Sequence, residues 1–180
     1  MLASLPSERV CRVAGPMMDD QEEGVYRALD GLRIRYERHE HPPVFTVDEA
    51  TRHWAGIDAA HCKNLFLRNK KGTIHYLVIL EHTKQADLRQ LAARLGDDRL
   101  SFASSERLMA HLGLTAGSVS PFGLINDRDK RVQVAIDLNL KDVPRIAFHP
   151  NVNTATIVLG GADFQRFLAW CGNPVRWIGF

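Results

Sequence analysis

The chain has 180 residues, 45% of them hydrophobic and 24% charged, and its 23 basic and 21 acidic side chains leave a net charge of +2. A chain of this length buries a sizeable core without staples, which predicts one domain, and the charge balance is too even to signal a nucleic-acid partner by itself. Three cysteines, far apart and without a CxxC pair, argue against a disulfide framework and for a reduced, cytosolic protein, while no apolar run reaches the roughly 18 residues of a membrane-spanning helix.

Residues 1–18 mix Pro, Gly, Ser and Arg without periodicity and lack the long apolar core of a signal peptide. They are expected to form a loose tail ahead of a domain over 19–180. A first helix is predicted over 19–29, with acidic residues at its start where they favour the helix dipole, and Gly31 as its stop. Residues 33–37 alternate as a strand. The tract His41-Pro42-Pro43 is extended or turning. Thr46, with Glu49 three residues later, is a capping box that starts a helix running to about Trp54. Two strands, 63–69 and 73–80, flank a Lys70-Lys71-Gly72 turn. Leu88, Leu91, Ala92 and Leu95 recur at helical spacing up to Gly96. A short strand near Leu100 leads to a helix over 105–112, then to a loop over 113–123 rich in Gly, Ser and Pro. In 131–138, Val132, Val134, Ile136 and Leu138 form one strand face. Strands over 145–148 and 154–159 join through His149-Pro150-Asn151, and a last helix sets Phe164, Phe167, Leu168 and Cys171 on one side. Six or seven strands mixed irregularly with four or five helices predict an α+β fold rather than a regular βαβ alternation.

Three segments carry candidate chemistry. On a strand, Lys63 shares a face with Leu65 and Leu67, which puts an ammonium at the start of an apolar face. Such a lysine holds a phosphate or polarises a carbonyl in a partly dry site, or it snorkels from the rim of the core. Arg68, Lys70 and Lys71 gather at the hairpin tip, either against an RNA backbone or as a solvated turn. The loop Gly117-Ser118-Val119-Ser120-Pro121-Phe122-Gly123 either aims backbone N–H groups at a developing oxyanion or merely connects helix to strand. His149, followed by Pro150, Asn151 and Asn153, either bonds a ligand or orients water, or is a capped surface residue. His39, His41 and His61 match no zinc spacing, so no metal is expected. No P-loop, GxGxxG, HExxH or GxSxG motif is present. Cys62 stands beside Lys63 but on the opposite strand face, and is expected to be structural.

In order and spacing, KNLFLRNKKG, TIHYLVIL, GSVSPFGL and FHPNVNTATI, with EHPPVFTVDEA ahead of them, resemble the YbaK/prolyl-tRNA synthetase-associated domain family, and within it the freestanding alanyl-tRNA(Pro) deacylases. The resemblance spans 19–180. It implies an α+β fold with a mixed, strongly curved, barrel-like sheet of about six or seven strands and surrounding helices. By the same resemblance, Lys63 matches the family's essential lysine, Gly117 and Pro121 its glycine-x-x-x-proline loop, and His149 its pocket histidine. Asn64 follows the lysine as in alanine-specific members, where cysteine-specific relatives typically carry threonine.

The resemblance also implies a cytoplasmic trans-editing hydrolase that removes alanine from mischarged tRNA(Pro), without a cofactor. Its partner is the acceptor end of that tRNA, with prolyl-tRNA synthetase as a further partner and neither DNA nor a membrane. An aminoacyl ester is already reactive, so such a site needs to position water and stabilise one oxyanion rather than carry a strong nucleophile. Lys63, Gly117 and His149 are then the expected catalytic groups. Asn64, Ser118, Val119 and Pro121 are the expected substrate contacts, and Arg68, Lys70 and Lys71 the expected tRNA contacts. Two alternatives stay open: the same hydrolysis on cysteinyl- or seryl-tRNA, and a non-catalytic nucleic-acid-binding or regulatory module built on the basic hairpin.

Overall fold

The computed structural model describes residues 20–44 and 51–180. Helix α1 (Asp20–Gly31) opens on three acidic residues and buries Val25, Tyr26 and Leu29. The strands are β1 (Tyr36–Glu40), β2 (Ala60–Asn69), β3 (His75–Glu81), β4 (Leu100–Phe102), β5 (Val132–Asp137), β6 (Arg145–Phe148), β7 (Ala155–Gly160) and β8 (Val175–Ile178). Between them lie α2 (Leu88–Leu95), α3 (Ser105–Leu112) and α4 (Gly161–Cys171). Two 3₁₀ turns, Pro121–Asn126 and Leu138–Leu140, complete the described elements, and residues 51–53 are helical.

The strands form one mixed sheet in the order β1-β7-β6-β2-β3-β5-β8, with β4 added against β2. β2 pairs antiparallel with β3 and β4 and parallel with β6, while β3–β5 and β5–β8 are parallel. Alternation along the central strands sorts the core into two layers. Leu77 and Ile79 of β3 join Val132, Val134 and Ile136 of β5 under α1, α3 and α4. Tyr76, Val78 and Leu80 face the other way, against Leu91, Ala92 and Leu95 of α2. β3 is therefore apolar at nearly every position because both of its faces are covered.

Caps fix the helix ends. The Asp87 side chain accepts from the N–H groups of Arg89 and Gln90, and the left-handed Gly96 closes α2. Ser104 and the left-handed Gly113 do the same for α3.

Several expectations need correction. The first strand starts at Tyr36 rather than residue 33, because Arg33 takes a positive φ of 54° in the turn after α1. Leu138 does not continue the β5 face; it enters the Leu138–Leu140 turn and is 49% exposed. The strand count is eight, the addition being β8, whose four residues VRWI offer little alternation to read. The sheet is mixed as expected, and its path stays open between β1 and β8 among the described residues. The tail expected over 1–18, and the capping box of Thr46 and Glu49, lie outside the described residues.

Candidate functional site

The site is organised by a gap in the pairing of β2. On its side away from β3, β2 pairs first with β6, through Ala60 and His61, and again with β4, through Leu67 to Asn69. Cys62 to Phe66 have no strand partner on that side among the described residues. The backbone there is directed into the gap. The His82 N–H donates to the His61 carbonyl, so odd-numbered residues of β2 exchange their bonds with β3 and even-numbered ones face the free side. Phe66 obeys this rule, its carbonyl accepting from the Ala103 N–H. The amide and carbonyl of Asn64 thus point into the opening.

The loop 117–121 closes one side of it. Gly117 sits at φ +87°, a conformation that disfavours a side chain. The Ser118 N–H turns back to the Thr115 carbonyl, and Ser118 is buried. The Asn64 Nδ2 donates to the Val119 carbonyl at 3.1 Å, which ties the loop to β2. The Asn64 Oδ1 is buried without a hydrogen-bond partner. Val119 packs on the main core, and Pro121 is buried at the start of its 3₁₀ turn.

Ser120 joins the loop to the histidine strand. It is fully buried, donates its hydroxyl to the His149 carbonyl at 2.6 Å, and accepts from the Phe122 N–H at 3.2 Å. Ser120 was not singled out from sequence, although a serine directly before a helix-starting proline is a capping signal.

β6 delivers His149. The β2–β6 register sets Ala60 beside Ile146 and His61 beside Ala147; two residues further on, it brings His149 level with Lys63. The His149 Nδ1 lies 2.8 Å from the Ala155 carbonyl. A carbonyl only accepts, so this nitrogen carries the proton and the Nε2 keeps its lone pair. Burial, partly offset by that bond, holds the ring below the ordinary histidine range, and nearby His41 pushes the same way. His149 is therefore neutral at pH 7.

The predicted residues do not all converge. Asn64 and Val119 meet across the gap, with Gly117, Ser118 and Pro121 in the loop that borders it, and Ser120 ties that loop to the His149 backbone; the β2–β6 register sets His149 on the Lys63 face. The Lys63 side chain leaves β2 on the opposite face from Asn64, with His61, Leu65 and Leu67, and its ammonium makes no hydrogen bond or ion pair among the described residues. The basic residues lie elsewhere. Lys70 is seven residues along from Lys63, about 23 Å away at strand rise. Arg68 folds its guanidinium onto the Asn69 and Lys70 carbonyls at 3.1 and 3.0 Å, whereas Lys70 and Lys71 are exposed. Cys62 is half-buried, and burial pushes its thiol well up, so it is no thiolate. Among the described residues no cluster of His, Cys, Asp or Glu has the arrangement of a metal centre.

Comparison with known proteins places the chain among editing-domain proteins. Residues 41–167 match the family model of the aminoacyl-tRNA editing domain. The prolyl-tRNA editing protein ProX of Acetoanaerobium sticklandii is 41% identical over 161 residues, covering 87% of this chain and 96% of that protein. The prolyl-tRNA synthetase associated domain-containing protein 1 of Xenopus laevis is 35% identical over 161 residues, 87% of this chain and 95% of that one. A multifunctional Ser/Thr-tRNA deacylase of Escherichia coli is 34% identical over 92 residues, about half of each chain at 51% and 53%. In fold, a crystal structure of a candidate trans-editing enzyme for prolyl tRNA synthetase superposes with a TM-score of 0.67 at 18% identity, over 91% of this chain and 99% of that one.

Proposed function

Because the chain belongs to the aminoacyl-tRNA editing domain family, we propose that it hydrolyses mischarged alanyl-tRNA(Pro) in trans and so prevents alanine-for-proline errors. The observation that supports this reading best is the gap in β2, bordered by a loop with free amide donors and by a neutral histidine. The N–H groups of Val119 and Ser120 make no hydrogen bond among the described residues, and the backbone amide of Asn64 points into the gap. Such donors stabilise an oxyanion.

The nucleophile is water. Ser120 has committed its proton to the His149 carbonyl, and the Cys62 thiol is held protonated. Water, held by the Nε2 of His149, adds to the ester carbonyl. The tetrahedral intermediate collapses by breaking the bond to the ribose oxygen, which takes a proton and leaves as the free 3′ end, with alanine as the other product. Lys63 acts from the face of β2 that the β2–β6 register shares with His149, on the ester oxygen or the terminal phosphate. Its ammonium repels the substrate's own amino group and so belongs on the oxygen side. The unpartnered Oδ1 of Asn64 is an acceptor suited to that amino group. Val119 and Pro121 set the size limit, and Lys70 and Lys71 touch the acceptor stem.

The proposed setting is the cytoplasm, with prolyl-tRNA synthetase as the source of the mischarged tRNA. A second reading, hydrolysis of seryl-tRNA, is favoured by the Ser/Thr-tRNA deacylase among the relatives. A deacylation panel over alanyl-, seryl-, cysteinyl- and prolyl-tRNA tests both. Fastest hydrolysis of alanyl-tRNA(Pro) supports the first, and fastest hydrolysis of a seryl ester supports the second.

A further inference from the structure

Residues 53 and 54 leave the helical stretch 51–53 in two directions. The His53 ring stacks on His41 at 5.3 Å, and His41 meets His149 edge-on at 5.6 Å. Trp54 meets a different pair of rings. Its ring stacks on His61 at 4.4 Å and 16° between planes, and His82 meets it edge-on at 5.2 Å. The mechanism above uses none of these last three rings.

Two features set this group apart from ordinary packing. Among the described residues, Trp54 packs against neither of the two hydrophobic clusters, so its large aromatic face is not part of either. And the group stands on the Lys63 face of β2: His61 precedes Lys63 by two residues, which places their Cα atoms about 7 Å apart on one side of the strand. The rings are also held from behind. The His61 Nε2 donates to the Ile57 carbonyl at 3.2 Å, and the His82 Nδ1 lies 3.3 Å from the His61 carbonyl. The Ile57 N–H in turn bonds the Trp54 carbonyl at 2.9 Å. Burial lowers the His61 pKa, which keeps its ring neutral and fit to back an indole.

We propose that Trp54, backed by His61 and His82, is a stacking platform for a base of the single-stranded 3′ end of the tRNA, that of the nucleotide before the esterified adenosine. This inference rests on the deacylase reading for the direction in which the strand enters. With the ester in the gap and Lys63 on the terminal phosphate, the next nucleotide leaves along the Lys63 face, toward Trp54. Stacking on an aromatic face tolerates any base. It therefore adds affinity for the end that all tRNAs share and leaves identity to other contacts.

The test compares full-length wild-type, Trp54→Ala and Trp54→Phe proteins on alanyl-tRNA(Pro) and on the alanyl ester of adenosine, which lacks the preceding nucleotide. The preference in kcat/KM for the tRNA over the short ester should fall about ten-fold in Trp54→Ala, through KM, and recover in Trp54→Phe. An unchanged preference, or an equal loss on both esters, overturns the platform. Indole fluorescence gives a readout independent of hydrolysis. The trinucleotide CCA should quench wild-type emission, and the quench should vanish in Trp54→Phe, which leaves Trp170 and Trp177 in place. A quench that is absent, or that survives in the variant, overturns the inference. Quenching at Trp54 in a protein that hydrolyses neither ester would uphold the platform and count against the deacylase reading alone.

Discussion

Lys63 and His149 make opposite bargains with their surroundings. The lysine is half-buried and its ammonium has no hydrogen-bond or ion-pair partner among the described residues, so truncating the side chain costs only the packing of its stem. Lys63→Ala is expected to lower kcat/KM about a hundred- to a thousand-fold, while the melting temperature moves by no more than a surface substitution would. Near-normal turnover by the variant would remove Lys63 from the mechanism. His149 is instead fixed by the Ala155 carbonyl in one tautomer, and burial holds its pKa below the ordinary value. The neutral ring is the form that accepts from water. Activity should therefore hold as pH falls to about 6.5, the free-histidine value, and decline only below it. His149→Asn should abolish that acidic limb along with most of the rate. A wild-type limb centred above 6.5 would contradict the assignment.

At the scale of elements, the junctions decide stability. α3 is clamped to the β2–β3 hairpin by Arg107, whose guanidinium donates to the Gly72 carbonyl at 2.9 Å and to the His75 Nε2 at 3.0 Å. Burial, with His111, Arg107 and Arg68 nearby, pushes the His75 pKa down to about 4. The unfolded chain therefore binds the proton more readily between pH 6.5 and 4. The contribution of His75 to stability is complete above 6.5 and is lost as pH falls through that window. Thermal melts from pH 8 to 4 should show this decline, and His75→Phe should flatten it if the variant folds. At α4, a Cβ on Gly161 would lie 2.0 Å from the Val143 carbonyl oxygen. Gly161→Ala should cost about 2 kcal/mol or more, read as a lower urea midpoint. The elements with strong local signals were legible in sequence: α2 and α3 carry capped periodicity, and the Phe164, Phe167, Leu168 and Cys171 face of α4 is buried as expected. β8 and the three-residue turn after β5 were not: VRWI shows little alternation, and Leu138 continues the apolar alternation of β5 in sequence but leaves the strand.

At the scale of the whole molecule, the basic hairpin tip lies about 23 Å along β2 from Lys63, on the side away from His61 and Trp54, so the single-stranded 3′ end turns back over β2 for the acceptor stem to meet the tip. Reversing the charge of Lys70 and Lys71 should weaken tRNA binding and flatten its salt dependence. Unchanged affinity would place the RNA contact elsewhere. The candidate site was partly legible. Lys63, Asn64, the loop and His149 lie in separate segments, and it was their order and spacing that linked them to an editing family. The gap itself could not be read, since it arises where β2 changes partner from β6 to β4. Neither could the role of Ser120 as the link to His149, nor the Trp54 ring beside His61. The central claim is selectivity. A synthetase pocket sized for proline rejects the smaller alanine by only about 1–3 kcal/mol, and a second site that admits a methyl group but not a pyrrolidine ring corrects the error. The direct measurement is the hydrolysis of alanyl-tRNA(Pro) and prolyl-tRNA(Pro) at equal concentration. The alanyl ester should be cleaved and the prolyl ester spared; comparable cleavage of the two would contradict the editing role.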